Sequence, residues 1–115
     1  MNTEIKVTSP FLEDVKISQE EVRLSVIGEI TVPKAIDFCS KLSVIDKKDL
    51  ATIPIQIHSE GGDVDALVLM LQAMEQCSTP ITTVCVGHAS SAAAVLFSLG
   101  KERIMAPNAW LMFHE

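Results

Sequence analysis

The amino-acid sequence predicts an α/β fold in which strand, turn and helix follow one another repeatedly. Apolar stretches of strand length alternate along the chain with stretches of helix length. Glycine-containing turns, SEGGD at 59–63 and GHAS at 87–90, separate two of these strand and helix pairs. Such alternation predicts a mostly parallel sheet with right-handed crossovers. At 115 residues the chain is expected to form one domain with a real core.

The first predicted elements are a strand and an amphipathic helix. Residues 22–30, VRLSVIGEI, alternate apolar and polar residues and are rich in β-branched side chains, so they predict a strand that ends near Gly28. Thr31 is a plausible helix entry, and the apolar residues that follow recur at three-to-four spacing as far as Ile45. The charged turn DKKD at 46–49 is expected to end this helix.

The next unit is a strand, a glycine turn and a helix. PIQIH at 54–58 is a short apolar strand, and SEGGD follows it at once. Residues 64–74, VDALVLMLQAM, are apolar nearly all round, which favours a helix packed against a sheet. In a chain of this length part of that helix is expected to stay uncovered, and such patches usually mark an interface.

The same unit recurs in the last third of the chain. ITTVCV at 81–86 predicts a strand, 87–90 a turn, and 91–99 a helix of small and apolar residues. Two short strands are then predicted at 104–106 and 110–113. The polar, mixed residues 1–21 are treated as an arm of undetermined structure before a domain at 22–115.

Composition and charge exclude several functional classes. The net charge of -6, without a cluster of Lys or Arg, argues against a nucleic-acid partner. The longest uncharged stretch, 77–100, is interrupted by Pro80 and Gly87, so no bilayer span and no membrane role are predicted. Because the first residues lack a signal pattern, a cytoplasmic protein is expected. The three cysteines form no CxxC pair and are predicted to be buried free thiols.

Two adjacent serines stand where a strand gives way to a helix, at Ser90 and Ser91. Helix-start amides could stabilise an oxyanion there, and a nucleophilic serine would need a histidine as base. The candidates are His58, His88 and His114, and His114 is the best placed because it ends a strand at the same sheet edge. Simple helix capping is the competing interpretation, and no G-x-S-x-G motif is present.

The acidic residues of the glycine turn support a weaker alternative. His58, Glu60, Asp63 and Asp65 could bind a metal, but their spacing fits no standard ligand set. His58 and His88 are more often structural than ligating.

Three blocks of sequence resemble the proteolytic subunit of the Clp protease, a family of serine peptidases. GHASSAAAVLFSLG resembles the family pattern G-x-A-A-S-M-G-A, PNAWLMFH resembles P-N-x-x-x-M-I-H, and SEGG is similar to S-P-G-G. The blocks occur in the family's order over about 22–115. The resemblance implies a crotonase-like layered α/β fold and a peptidase that cleaves by acyl transfer without a cofactor.

The resemblance also implies the roles of individual residues. Ser91 matches the nucleophile, His114 the catalytic histidine, and Gly62 and Ala92 the oxyanion-hole amides. Ala92 replaces the usual methionine, but an alanine amide serves equally well.

Other departures from the family pattern affect the expected activity. Glu60 replaces a proline, and the loop at 100–103 is short. The family's triad aspartate lies beyond the histidine, whereas this sequence ends one residue after His114, so impaired activity is expected. Asp63 and Asp65 are expected on the oxyanion side and are not obvious substitutes for that aspartate.

The implied partners are a peptide or unfolded protein substrate, like subunits in a ring, and an ATP-driven unfoldase. Three alternatives stay open at this point. The chain could be a non-catalytic ring or assembly subunit, a phage-type capsid maturation peptidase, or a crotonase-like acyl-CoA enzyme. In the last case Gly62 would polarise a thioester and Ser91 would have no role.

Overall fold

The computed structural model describes residues 5–7 and 24–113, and for residues 5–7 it describes the backbone alone. The strands are β1 Ile5–Val7, β2 Leu24–Ile27, β3 Ile53–Ser59, β4 Ile81–Ser90, β5 Glu102–Met105 and β6 Trp110–Met112. The helices are α1 Val32–Asp46, α2 Val64–Glu75 and α3 Ala92–Ser98.

All strand pairings among the described residues are parallel, in the order β1-β5-β4-β3-β2, and β6 pairs with the last part of β4. The α/β fold with a parallel sheet is therefore confirmed. Strands β2, β3 and β4 and helices α1 and α2 lie where the sequence predicted them, and no end differs by more than four residues. Part of the proposed N-terminal arm forms the edge strand β1 beside β5. Residues 1–4 and 8–23 of this chain lie outside the described part.

One predicted boundary is wrong. Residues 87–90, expected to form a turn, belong to β4, which runs without interruption as far as Ser90. They are extended because β6 pairs with them, His88 opposite Trp110 and Ser90 opposite Met112. The local glycine and small residues favour a turn, but a strand from later in the chain supplies hydrogen-bond partners and overrides that preference.

The three helices cover one face of the sheet. Alternate residues of β3, Ile53, Ile55 and Ile57, are fully buried and form the centre of the core. Phe38 of α1 and Phe97 of α3 belong to the same cluster of buried side chains. Burying each such large apolar side chain contributes about 1.5 to 3 kcal/mol of stabilisation. The opposite face of β3 is more open, and His58 on it is exposed.

The start of α1 is fixed by its cap. The Thr31 hydroxyl oxygen accepts a hydrogen bond from the Lys34 amide at 3.3 Å, as expected for a helix N-cap. None of the helices in the described part of the chain is long and apolar enough to cross a bilayer.

The cysteines are free thiols, as predicted. Cys85 is buried, whereas Cys39 and Cys77 are only half-buried, so the prediction of burial was wrong for those two. Burial raises the pKa of all three thiols.

Asp46 at the end of α1 connects this helix to the loop before β4. Its carboxylate accepts hydrogen bonds from the backbone amides of Ser78 at 3.2 Å and Thr79 at 3.0 Å. The hydrogen bond with the Thr79 side chain, followed by those from the two amides, lowers the pKa of Asp46. Because the folded pKa is lowered, the stabilisation is present above the unfolded pKa of about 3.9 and is lost as pH falls through the folded value.

We therefore expect Asp46→Ala to lower the free energy of unfolding more at pH 6 than at pH 3. Urea unfolding at the two pH values measures the difference. Asp37→Ala is the control, because Asp37 forms an exposed i,i+4 pair with Lys41 at 2.9 Å, and the loss of that pair is expected to cost under about 0.5 kcal/mol. An equal loss at both pH values for Asp46→Ala would contradict the proposed role of the carboxylate.

Candidate active site

Ser91 has an unusual backbone conformation at the joint between β4 and α3. Its φ is 58° and its ψ is -123°, and the only other described non-glycine residue with a positive φ is Asp49. L-residues rarely adopt such angles, and the strain costs on the order of 1 to 3 kcal/mol. A sharp, strained turn from strand to helix is also the geometry that presents the nucleophilic serine of α/β-hydrolases.

The hydroxyl of Ser91 does not cap the helix. Ser91 occupies the N-cap position of α3, but its side chain makes no capping hydrogen bond. The backbone carbonyl of Ser91 instead accepts from the amides of Ala94 at 3.0 Å and Val95 at 3.2 Å. The capping interpretation therefore explains the position of Ser91 in the chain but not its strained backbone.

Strand β6 forms a backbone hydrogen bond with Ser91. The Ser91 amide donates to the Met112 carbonyl at 2.9 Å, and Ser90 pairs with the same residue in the parallel ladder. Ser90 is buried, with 8% of its surface exposed, whereas Ser91 is half-buried. His114, the predicted base, follows Met112 by two positions in the sequence and lies outside the described residues.

The glycine turn after β3 is held by a buried serine. The Ser59 hydroxyl donates to the Gly28 carbonyl at 2.6 Å and accepts from the Gly61 amide at 3.0 Å. Ile30 forms two more hydrogen bonds with the turn. Its amide donates to the Gly61 carbonyl at 2.8 Å, and its carbonyl accepts from the Asp63 amide at 2.9 Å. These four hydrogen bonds fix the path of the backbone through the turn.

The structure brings the glycine turn against Ser91. Gly61 has a φ of +100°, and a Cβ placed on it would lie 2.7 Å from the Ser90 carbonyl oxygen, 3.0 Å from the Ser91 Cβ and 3.1 Å from the Ala92 nitrogen. Only glycine fits this approach, because any side chain would collide with the backbone of the neighbouring turn. The two turns at the carboxyl ends of β3 and β4 therefore form one site, as expected for a parallel sheet.

Two amides at this junction lack a hydrogen-bond partner within the described part of the chain. No hydrogen bond to another described residue uses the amide of Gly62 or of Ala92. Both residues belong to the two turns that meet beside Ser91, Gly62 following the closely packed Gly61 and Ala92 following Ser91 itself. Free amides in such a place can donate to an oxyanion that develops on a bound carbonyl group.

The residues of the alternative metal set do not come together in the structure. The Asp63 carboxylate caps α2 by accepting from the Ala66 amide at 3.1 Å, and Asp65 is exposed in the first turn of that helix. His58 accepts from the His88 amide through Nδ1 at 3.2 Å. Among residues 24–113, no three His, Cys, Asp or Glu side chains gather in a way that could hold a metal ion, so the alternative metal set is not assembled there.

Sequence reasoning missed the role of Ser59. It continues the buried alternation of Ile53, Ile55 and Ile57, so its side chain was predictable as buried. A buried hydroxyl two residues before a Gly-Gly pair needs partners, and here it finds them in the Gly28 carbonyl and the Gly61 amide. The buried alternation of β3, followed two residues later by Gly-Gly, was the sequence signal that could have revealed this role.

Comparison with known proteins shows the family to which the chain belongs. A family model described as Clp protease matches residues 11–115. The chain is similar to "ATP-dependent Clp protease proteolytic subunit 1" of Rhodococcus jostii, with 34% identity over 99 residues, which are 83% of this chain and 45% of the relative. The subunit of the same name from Corynebacterium efficiens is 32% identical over 114 residues, 96% of this chain and 52% of the relative.

A solved structure agrees with the sequence comparisons. The crystal structure of the ClpP protease catalytic domain from Plasmodium falciparum has a TM-score of 0.79 and 27% identity, and the match covers 91% of this chain and 61% of that one. The chain spans about half the length of the curated relatives described above. On the matching family model, the related sequences and the shared fold, the chain belongs to the Clp protease family.

Proposed function

We propose that the chain is a serine endopeptidase that hydrolyses peptide bonds by acyl transfer through Ser91. The observation that carries this proposal is the strained Ser91 backbone, with no capping bond from its hydroxyl, packed against the glycine turn. Strain of this kind persists where the surrounding structure imposes it, and it concentrates at functional sites. Membership of the Clp protease family supports the same assignment.

The proposed reaction uses two side chains and two amides. The Ser91 hydroxyl oxygen attacks the carbonyl carbon of the peptide while His114 takes the hydroxyl proton. The amides of Gly62 and Ala92 donate to the oxyanion of the tetrahedral intermediate. His114 then gives the proton to the leaving amine, and an acyl-serine remains. Water then gives a proton to His114 and attacks the carbonyl carbon of this ester. The bond from that carbon to Ser91 Oγ breaks, the carboxylic acid product leaves, and His114 returns the proton to Ser91. Every step is supplied by protein groups and water, and none requires a cofactor.

The proposal includes partners as well as chemistry. The relatives' names describe proteolytic subunits of an ATP-dependent protease. Unfolded polypeptide as substrate, a ring of like subunits and an ATP-driven unfoldase are therefore proposed for this chain. The cytoplasm is the proposed compartment, which suits three free thiols.

Apolar residues of α2 support self-association. Val64, Val68 and Leu69 are 68%, 44% and 40% exposed, and they lie on one helix. Exposed apolar patches commonly mark interfaces. We expect the sedimentation coefficient to rise with protein concentration and Val68→Asp to suppress that rise, with Asp65→Asn as a control on the same helix. Clean monomers of the unaltered chain at all concentrations would contradict this part of the proposal.

The catalytic part is tested with peptide or activated ester substrates. We expect Ser91→Ala to lower the rate of hydrolysis by more than about 1,000-fold. If the unaltered chain is itself slow, the variant should show only the uncatalysed rate. Ser90→Ala is the matched control and should keep the rate within about tenfold, because the Ser90 hydroxyl has no role in the reaction. Hydrolysis that survives Ser91→Ala would refute the proposal. An unaltered chain with no turnover above the Ser91→Ala background would favour the non-catalytic assembly subunit.

A further inference from the structure

The pairing between β3 and β4 is interrupted just before Ser91. It is regular up to Ile57 and resumes at Ser59. Between these two residues β3 contributes only His58, whereas β4 contributes the residues 86–88 between their two partners. An irregularity of this type leaves backbone groups of the longer strand without ladder partners and redirects the chain, and it is common next to active sites.

The His58 imidazole occupies this interruption. Its Nδ1 atom accepts a hydrogen bond from the His88 backbone amide at 3.2 Å. The ring also lies directly against the backbone of Gly87, where an added Cβ would collide with Nδ1 and Cε1 of His58. The side chain of His58, although exposed, therefore provides the hydrogen-bond acceptor that the ladder does not, and it does so in contact with the backbone of Gly87.

We infer that His58 is a positioning residue for Ser91. To accept at Nδ1, a neutral imidazole must carry its proton on Nε2. In that form it fixes the course of residues 87–88, and these lead through Ser90 to the strained turn at Ser91. The inference rests on the proposed function in one respect, since it takes Ser91 as the nucleophile.

The chemistry predicts which substitutions preserve this role. The Oδ1 atom of asparagine stands at the same distance along the side chain as Nδ1 of histidine and also accepts a hydrogen bond. His58→Asn should therefore keep the course of β4. Leucine offers similar bulk without an acceptor, so His58→Leu leaves the His88 amide without a partner.

The His88 ring provides a matched control. It stacks on Trp110 with the ring centroids 4.8 Å apart and meets the His58 ring edge-on at 4.6 Å. Only the backbone amide of His88 takes part in the positioning contact. His88→Leu removes the ring interactions but leaves that amide in place.

The experiment compares the unaltered chain with His58→Asn, His58→Leu and His88→Leu by two measurements. The first is amide hydrogen exchange at positions 87–91, and the second is the rate at which a fluorophosphonate probe labels Ser91. In His58→Leu we expect exchange at the residue 88 amide to be about tenfold faster and labelling about tenfold slower, the effect of losing one hydrogen bond. His58→Asn and His88→Leu should stay within about threefold of the unaltered chain in both.

The two measurements separate the possible failures. Unchanged exchange in His58→Leu, or equally fast exchange in His58→Asn, would overturn the positioning role. An unaltered chain that is not labelled would refute the proposed function, while the exchange rates would still decide the role of His58. If His58→Leu does not fold, the nitrogen-15 spectrum of the unaltered chain decides: a neutral His58 ring protonated on Nε2 supports the inference, and one protonated on Nδ1 overturns it.

Discussion

Gly61→Ala is expected to lower the free energy of unfolding by about 3 kcal/mol and to slow probe labelling of Ser91 by more than tenfold. Two effects combine at this position. The φ of +100° is unfavourable for alanine, and the new Cβ would lie 2.7 Å from the Ser90 carbonyl oxygen. Since the atom in the way belongs to the backbone, the turn that carries Ser91 must move. The loss of labelling follows from that movement.

Gly28→Ala is the matched control for this experiment. Gly28 also has a positive φ, +77°, but its added Cβ would meet only the flexible Lys34 Nζ at 3.4 Å. We expect this variant to lose about 1 kcal/mol and to keep its labelling rate. Urea unfolding and timed labelling measure both quantities. Equal losses in Gly28→Ala and Gly61→Ala would show that the close approach to Ser91 contributes nothing.

Ser91→Gly is expected to abolish hydrolysis and at the same time to make the chain more stable by about 1 kcal/mol. Glycine adopts a φ of 58° without the strain that serine bears there, and this gain outweighs the added entropy of the unfolded chain. Hydrolysis should fall by more than about 1,000-fold because the nucleophile is lost.

Ser90→Gly serves as the comparison for Ser91→Gly. Ser90 lies in β4 with its pairing to Met112 intact, so glycine there should lower the stability by about 0.5 to 1 kcal/mol. Thermal or urea unfolding of both variants tests the contrast. A Ser91→Gly variant less stable than the unaltered chain would mean that the Ser91 conformation is not strained.

The elements that sequence patterns predicted well are those whose environment is set locally. The alternation in β3 predicts a half-buried strand and the apolar character of α2 predicts a helix packed against the sheet, and both elements were found, although α2 buries only one face. The end of β4 was not predictable in this way. Its last residues are extended because β6, about twenty residues later, pairs with them, and a local pattern contains no information about that partner.

In the candidate site, too, some features could be predicted from the sequence and others could not. The meeting of the two turns followed from the rule that parallel strands end at the same sheet edge. The choice of Ser91 over Ser90 came from the resemblance to a family, since the two hydroxyls are equivalent in local sequence. The strain at Ser91 and the contact of His58 with the interruption in β4 depend on how β3, β4 and β6 pair, so only the structure could show them.

The central claim is that Ser91 is the nucleophile, and the most direct measurement is to locate the adduct of a fluorophosphonate probe by peptide mass spectrometry. The account predicts a single phosphonylated site at Ser91, with no labelling in Ser91→Ala and labelling retained in Ser90→Ala. The fully unfolded chain should not react, because reactivity depends on the assembled site. An adduct at Ser90, or labelling of the folded chain that persists in Ser91→Ala, would contradict the account.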